Sequence, residues 1–126
     1  MTPRGAPSML TAAERAAMGP ALVNAARDDV LLYRMLLTRL MDTNAADLAN
    51  LRRAAALRDW AGVQRSVHRL KGSGALARCT TVVVAGKSLE SAARQGKAAV
   101  VQALLPRYIA IVTEFSDALA GLRAAP

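Results

Sequence analysis

The sequence predicts an all-α fold, an antiparallel up-down four-helix bundle with a short additional N-terminal helix. Four long segments repeat apolar residues every third or fourth position, which is the spacing of one helix face. Hydrophobic residues make up 53% of the chain, and many of them are the strong helix formers Ala and Leu. Long amphipathic helices with short connections favour an antiparallel bundle. The 126 residues suit one domain.

The N-terminal region is predicted to hold a flexible arm and a short helix. Residues 1–8 are polar and contain proline, and residues 9–126 form the predicted bundle domain. Thr11 and Glu14 have the spacing of a capping box, which starts a helix. Gly19 and Pro20 are expected to end it, and Pro20 to open another turn or two, through about Arg27.

Two aspartates mark the starts of the next two helices. Asp28 or Asp29 is expected to cap a helix that runs to about Leu57, with a length on the order of 40 Å. Asp59 is expected to cap a helix that ends near Arg78 or Cys79. The buried stripe of the first is Val30, Tyr33, Leu37, Met41, Ala45, Leu48, Leu51 and Ala55. The stripe of the second is Trp60, Val63, Val67, Leu70, Gly74 and Ala77.

The last two helices show the same periodicity. Thr80 or Thr81 is expected to cap the first of them, and Gly96 to close it. Its inward residues are Val82, Ala85, Leu89 and Ala92. Pro106 interrupts the final helix, so a kink or a division is expected there, and Gly121 and the terminal Ala-Ala-Pro are expected to end the helix. The inward residues of this helix are Val101, Leu104, Tyr108, Val112, Phe115, Leu119 and Leu122.

His68 is the only histidine in the chain. A lone helical histidine is more often an ordinary surface residue, but its neighbours are unusual. The local string is His68-Arg69-Leu70-Lys71-Gly72-Ser73-Gly74. His68 falls about 100° around the helix from Val67, at the edge of the buried stripe, where it can reach solvent. Residues sharing its face are Gln64, Lys71, Gly72 and Ala75.

This face suits a phosphorylated imidazole. Lys71 supplies a flexible cation for the phosphoryl charge. Glycine in a helix costs about 1 kcal/mol relative to alanine, so two glycines within three residues indicate a close approach by another group. Gly74 lies on the core stripe, so we expect it to let another helix pack closely. Gly72 is expected to leave space beside the imidazole of His68. Gln64 either hydrogen-bonds the ring or phosphate, or is simply exposed.

The string from His68 to Ser73 resembles the H-x-L-K-G-S motif of histidine-containing phosphotransfer (HPt) domains, which are intermediates of bacterial phosphorelays. Asp59-Trp60 before the helix resembles the start of the family's motif helix, and Leu89-Glu90 with Gly96 resembles its next helix. The resemblance runs from about Asp28 to Leu122. The sequence departs from the family at Arg78, where a glycine usually follows the histidine by ten residues.

The resemblance implies a phosphoryl carrier and not an enzyme. His68 would accept the group from a receiver-domain aspartate and pass it to another receiver, with Lys71, Gly72 and Gln64 supporting the site. Partners would be response-regulator receivers and a hybrid sensor histidine kinase, docking on Arg65, Arg69 and Ala75. No cofactor and no metal site are expected on this chain, which has no phosphate-binding glycine loop, so Mg²⁺ is expected on the partner receiver.

The net charge of +8 permits further functions. A basic surface attracts nucleic acid or an acidic protein, or it is simply a solvated helical surface. The aromatic residues Tyr33, Trp60, Tyr108 and Phe115 lie on or near core stripes, which argues against base stacking and nucleic-acid binding. The sequence is also compatible with a docking module of a hybrid sensor kinase that does not transfer phosphate, and with an unrelated structural bundle.

The sequence is interpreted as that of a cytoplasmic protein without membrane insertion. Cys79 is the only cysteine and cannot form an internal disulfide, which fits a reducing compartment. No apolar run of signal-peptide length follows the N-terminus. The aliphatic run Val82–Ala85 is far shorter than the roughly 20 residues of a membrane span. A stand-alone protein and a C-terminal domain of a longer one are both compatible with the sequence.

Overall fold

The computed structural model describes residues 8–125, in which the chain forms five α-helices and no strand. Predictions for residues 1–7 and Pro126 lie outside this range. The all-α prediction is confirmed. The helices are α1 (Ala12–Ala25), α2 (Val30–Ala56), α3 (Trp60–Leu76), α4 (Thr80–Arg94) and α5 (Ala98–Ala124).

Helices α2 to α5 form the predicted bundle, in which each helix packs against the next and α5 returns to α2. Connections of three residues make successive helices antiparallel. Helix α1 packs against α2 and α3 at one end, and a Cβ added at Gly19 would lie 3.4 Å from Leu122 Cδ2 of α5. The largest fully buried side chains are Tyr108, Phe115, Met18, Leu22, Leu37, Leu51, Leu70, Leu89, Ile111 and Leu119.

The predicted N-terminal caps are confirmed for three helices and wrong for α4. The capping box of Thr11 and Glu14 is formed, and Asp29 and Asp59 cap α2 and α3 through bonds of 3.0 Å. At α4 the capping position is Cys79, which makes no side-chain bond. Thr81 lies inside the first turn.

A carboxylate from α1 takes over the capping of α4. Both the backbone N–H and the hydroxyl of Thr81 donate to Glu14, each at 2.7 Å. Burial alone would raise the pKa of Glu14, but hydrogen bonds from Thr81 and Thr11 lower it to about 2. A negative charge at a helix N-terminus is favourable, so Glu14 stabilises the starts of α1 and α4 together.

The turns between helices use left-handed residues. Arg58 and Arg78 have φ values of 54° and 56°, and Gly96, which follows α4 as predicted, has 65°. The turn after α3 is therefore made by Arg78 itself, in place of the glycine that the resemblance predicts. This conformation costs a non-glycine residue about 1–2 kcal/mol. A backbone bond of 2.7 Å from Cys79 N–H to Gly74 C=O closes the turn.

The expected helix end at Gly19 and Pro20 is wrong, and so are the expected division at Pro106 and the expected end at Gly121. Helix α1 continues through Gly19 and Pro20 to Ala25, and α5 is not divided at Pro106. Both prolines are exposed, and each removes one backbone hydrogen bond. Buried neighbours on the opposite faces hold the helices in place, since packing supplies most helical stability in proteins. Gly121 lies within α5, which ends at Ala124, the first residue of the terminal Ala-Ala-Pro, as predicted.

The predicted core stripes hold for α3, α4 and α5 but only in part for α2. Val30 is 70% exposed and Ala45 is exposed. Leu40, Asn44 and Asp47 are buried instead. Helix α3 is shorter than its antiparallel partner and ends level with about Leu40, so it does not cover the first turns of α2. Among the remaining stripes, Trp60, Ala85, Leu104 and Leu122 are half-buried and the other members are buried.

Helix α5 is long and apolar enough to cross a membrane when length and composition alone are considered. Core helices of soluble proteins meet the same criteria, so this is weak support for a span. One face of α5 packs into the bundle core through Val101, Tyr108, Val112 and Phe115.

Candidate functional site

His68 stands on the outer surface of α3. Its side chain is 78% exposed, while Val67 and Leu70, on the core side of the same helix, are buried. The position predicted at the edge of the buried stripe is therefore observed. Val67 and Leu70, and not His68, pack α3 against the core. The imidazole is therefore accessible to a partner molecule.

Glu90 of α4 links His68 to Lys71. Its Oε1 atom lies 2.5 Å from Lys71 Nζ, and its Oε2 atom lies 3.7 Å from His68 Nδ1. The side chains of Lys71 and Glu90 are each 18% exposed, so this ion pair is partly shielded from solvent. The Nδ1 side of the ring thus faces an acidic group. Within residues 8–125, no hydrogen bond is made to Nε2.

Glu90 was not identified as a site residue from the sequence. It follows His68 by 22 positions and belongs to the next helix. The only feature of the sequence that points to Glu90 is its position next to the inward residue Leu89, at the edge of the buried stripe of α4. This position predicts a contact with His68 only when the axial alignment of α3 and α4 is known.

Gly86 makes room for the stem of Lys71. A Cβ atom at Gly86 would lie 2.5 Å from Lys71 Cγ and 3.1 Å from Lys71 Cδ. The hydroxyl of Tyr108 lies 3.3 Å from the same point and has no hydrogen-bond partner in the described part of the chain. Burial raises the pKa of Tyr108, so this hydroxyl stays protonated. Gly86 therefore lets Lys71 lie across α4 toward Glu90.

The two glycines of the motif have different surroundings. A Cβ at Gly74 would lie 2.8 Å from Val82 Cγ1, so Gly74 allows α3 and α4 to pack closely, as predicted. A Cβ at Gly72 would meet nothing within 4 Å. Gly72 is exposed one turn after His68, and Ala75 is exposed in the following turn. The surface beside the imidazole therefore carries no large side chain at these two positions and is open to solvent.

Gln64 does not reach the imidazole. Its Nε2 atom donates to the backbone carbonyl of Trp60 on the same helix, at 3.3 Å. The hydrogen bond to the ring, one of the two possibilities that the sequence leaves open, is not formed. The side chain is half-buried and points back toward the start of α3.

Arg65 and Arg69 lie on the side of His68 that faces α2. Arg69 Nε lies 2.9 Å from Asp47 Oδ1, whose side chain is only 7% exposed. Arg65 is exposed and lines a groove between α2 and α3. The site thus has one flank that faces α4, with Lys71 and Glu90, and another that faces α2, with Arg65 and Arg69.

The remaining groups in the described residues offer little chemistry. No group of three or more His, Cys, Asp or Glu side chains is placed to hold a metal ion within residues 8–125. Cys79 is buried, and burial raises its pKa to about 12, which leaves it a poor nucleophile. Tyr108 and Phe115 are buried, and Trp60 and Tyr33 are half-buried against the core.

Comparison with known proteins supports the resemblance seen in the motif. The sequence model of one family, the Hpt domain, matches residues 35–125. Comparison with curated proteins and with solved structures gave no match. The matched range covers well over half of the chain and contains His68, Lys71, Gly72 and Glu90. The chain therefore belongs to the Hpt domain family.

Proposed function

We propose that this protein is a histidine phosphotransfer carrier of a two-component phosphorelay. Membership of the Hpt family implies histidine phosphotransfer in general. The observation that supports His68 as the carrier is its imidazole, the only one in the chain, standing 78% exposed on α3. His68 accepts the group from a receiver-domain aspartate and passes it to the aspartate of another receiver.

The transfer step needs little from the carrier beyond position and charge. A lone pair of the neutral imidazole attacks phosphorus, a nitrogen–phosphorus bond forms, and the aspartyl oxygen–phosphorus bond breaks to release a carboxylate. The Nε2 atom is the proposed nucleophile because Nδ1 faces Glu90. Glu90 offsets the positive charge that develops on the ring during attack. The step runs in reverse when the next receiver is loaded.

The surrounding residues have supporting roles. Lys71 offsets the charge of the phosphoryl group after exchanging its contact with Glu90 for one with phosphate. Gly72 leaves the space through which a partner approaches the ring. Gln64 supports the site once its amide leaves the Trp60 carbonyl. Ala75 adds a small exposed contact to the docking surface.

We assign the metal and most of the catalytic charge to the partner. A receiver domain that carries Mg²⁺ supplies the charge stabilisation, and this chain acts as a carrier without a cofactor of its own. The partners are response-regulator receivers and a hybrid sensor histidine kinase. Hpt domains are typically soluble, and a cytoplasmic location for this chain is part of the proposal.

The test is transfer to the wild-type chain and to His68→Gln from receiver domains phosphorylated with acetyl phosphate. The wild-type chain should acquire acid-labile label, and the variant should acquire none. His68 is exposed and makes no core contact, so circular dichroism should show equal helicity for both. Label of equal intensity on the variant would place the acceptor elsewhere, and no label on either chain from a broad panel of receivers would contradict the carrier function.

A further inference from the structure

The first turns of α2 carry an exposed apolar face. Eight large apolar side chains are exposed in residues 8–125, and four of them lie within six residues of α2, namely Val30, Leu31, Leu32 and Met35. Leu31, Leu32 and Met35 are spaced by three and four positions, so they share one face of the helix. We call this face the α2 patch and define it by these three residues. Monomeric proteins rarely expose a contiguous apolar patch of this kind without a binding role.

The α2 patch faces away from the core and lies beyond the end of α3. Leu37 and Leu40, on the other face of α2, are buried, and α3 ends level with about Leu40. A groove of about 820 Å³ runs beside the patch and is lined by Leu32, Met35 and Leu36 together with Ala25 at the end of α1. An exposed helix ridge beside an apolar groove is a surface on which a second helix can pack.

Charged side chains flank the α2 patch in a regular order. Along the chain they are Arg27 and Asp28 before the patch and Arg39 and Asp42 after it, and all four are exposed. Arg39 and Asp42 follow Met35 by four and seven positions, so they lie on the same face of the helix. None of the four has an ion pair within residues 8–125. The face therefore carries the order positive, negative, apolar, positive, negative.

Two other charged residues of this region are already engaged. The carboxylate of Asp29 accepts from the backbone N–H of Leu32 at 3.0 Å and caps its own helix. The guanidinium of Arg34 donates to the backbone carbonyls of Arg123 and Ala125, at 3.3 and 3.5 Å. The charges that remain available to a binding partner are the four that flank the patch.

This order of charges is complementary to itself when two α2 helices lie antiparallel. With a twofold axis midway between Asp28 and Arg39, Asp28 of each copy faces Arg39 of the other. Arg27 and Asp42 then face each other one turn further out, and Leu32 of each copy meets Met35 of the other. A parallel alignment would instead place each charge against its own copy, and like charges in contact are unfavourable.

We propose that the α2 patch is the interface of a homodimer, in which α2 packs antiparallel against α2 of a second copy of this chain. Burial of the apolar side chains stabilises the dimer, and the four charge pairs determine its orientation. The interface involves little more than one helix from each copy, so the dissociation constant should be on the order of 10–100 µM. His68 lies about two turns before the end of α3 and the patch lies beyond that end, so both imidazoles stay exposed. The inference goes beyond the proposed function and does not depend on it.

The first experiment measures the mass of the full chain by sedimentation velocity, at concentrations on both sides of this dissociation constant. The patch variant is Leu31→Gln/Met35→Gln. The matched control is Val84→Gln/Val100→Gln, which removes two exposed apolar side chains from α4 and α5. The patch variant should dimerise at least about tenfold more weakly, and the control should change dimerisation by less than about twofold. A wild-type chain that stays monomeric throughout, or equal losses in both variants, would overturn the proposal.

The second experiment tests the antiparallel orientation by exchanging charges. In a homodimer of Asp28→Arg two cations face each other at both ends of the patch, and in a homodimer of Arg39→Asp two anions do. Each variant alone should dimerise about tenfold more weakly than the wild type at low salt. An equimolar mixture of the two should recover the wild-type affinity, because opposite charges then face each other at both ends. Asp28 has a φ of 60°, and three arginines of this chain adopt φ values of 54–56°, so Asp28→Arg suits the backbone.

The result of this exchange decides the orientation. Wild-type affinity in both single variants would contradict the pairing of Asp28 with Arg39, and so would a mixture that does not recover. Circular dichroism of every variant should match the wild type, since all the substituted residues are exposed.

A third measurement separates a second copy from other occupants of the patch. Flotation with vesicles of phosphatidylglycerol and phosphatidylcholine should show no binding that the patch variant abolishes. Patch-dependent binding of a monomeric chain to these vesicles would overturn the proposal in favour of a lipid surface. With a receiver that labels His68, the patch variant should be labelled at the wild-type rate, and slower labelling of a chain that is monomeric throughout would assign the patch to the receiver. If no receiver labels His68, the carrier function fails, and sedimentation still decides whether the dimer forms.

Discussion

The surroundings of His68 are set by single contacts between helices. Glu90 of α4 bonds Lys71 and stands 3.7 Å from His68 Nδ1. Lys71 reaches Glu90 because Gly86 leaves space for its stem. An ion pair that is partly shielded from water is stronger than an exposed one, so Lys71 is held in a defined place near the imidazole. A phosphoryl group on His68 would compete with Glu90 for this cation.

Replacement of Lys71 tests this arrangement at the scale of one residue. We expect Lys71→Ala to slow phosphoryl transfer about tenfold, which corresponds to about 1.4 kcal/mol of transition-state stabilisation. The control is Lys87→Ala, which removes an exposed lysine of α4 that has no ion pair in the described part of the chain. Initial rates with one phosphorylated receiver are the measurement. Equal rates for wild type and Lys71→Ala would remove Lys71 from the site.

At the scale of elements, α3 combines two requirements in a short stretch. The helix must pack closely on α4, which Gly74 permits through its contact with Val82. It must also leave an open surface after His68, where Gly72 has free space around it. Both glycines weaken the helix as such, since glycine has low helix propensity. Because the two glycines differ only in their surroundings, the same substitution at each can be compared directly.

Alanine substitutions at the two glycines should change stability in opposite directions. Gly72→Ala should raise the free energy of unfolding by about 0.5–1 kcal/mol, because the methyl group meets nothing and the helix gains propensity. Gly74→Ala should lower it by about 1–3 kcal/mol, because the added Cβ would overlap Val82. Urea denaturation measures both. A stabilising effect of Gly74→Ala would contradict the close packing of α3 on α4, and a destabilising effect of Gly72→Ala would contradict the free space around Gly72.

On the scale of the whole molecule, most acidic groups accept hydrogen bonds, whereas most basic groups are exposed. Of nine acidic residues, six accept hydrogen bonds from other residues within the described chain. These six are Glu14, Asp29, Asp47, Asp59, Glu90 and Glu114. Most arginines and lysines face solvent. The net charge of +8 is therefore expressed on the surface, where it can attract an acidic partner.

Two of these acids make stability dependent on pH. Burial alone would raise the pKa of Glu114, but bonds from Ser8, Met9, Leu10 and Arg15 lower it to about 2, as for Glu14. Both lowered values lie below the ordinary 4.5 of the unfolded chain. The unfolded state therefore binds more protons between these values, and the stabilisation is complete above about pH 4.5 and lost as the pH falls toward 2.

We expect the free energy of unfolding to decrease on the order of 2 kcal/mol for each of these carboxylates between pH 4.5 and 2. Glu14→Gln should be less stable at neutral pH and should show a shallower decrease. Asp42→Asn, at an exposed position of α2, should follow the wild-type curve. Urea unfolding at a series of pH values is the measurement. Parallel curves for wild type and Glu14→Gln would contradict the assigned role of Glu14.

Local patterns were sufficient to predict much of this molecule. Hydrogen bonds and side-chain contacts along a helix join residues at most four apart, so helix positions, the caps at Asp29 and Asp59, and the buried faces of α3 to α5 could be predicted from spacing. The exposed position of His68 followed from the same periodicity. A capping box or a motif of six residues spans at most two helical turns, so it can be recognised from adjacent residues alone.

Contacts between helices could not be predicted in this way. The bond from Glu14 to Thr81, the ion pair of Arg69 with Asp47 and the place of Glu90 beside His68 all join different helices. Such contacts depend on the relative height and rotation of whole helices, which close packing such as that of Gly74 on Val82 determines. Only the folded bundle brings these residues together, because side chains separated by tens of positions meet through the shape of the shared core.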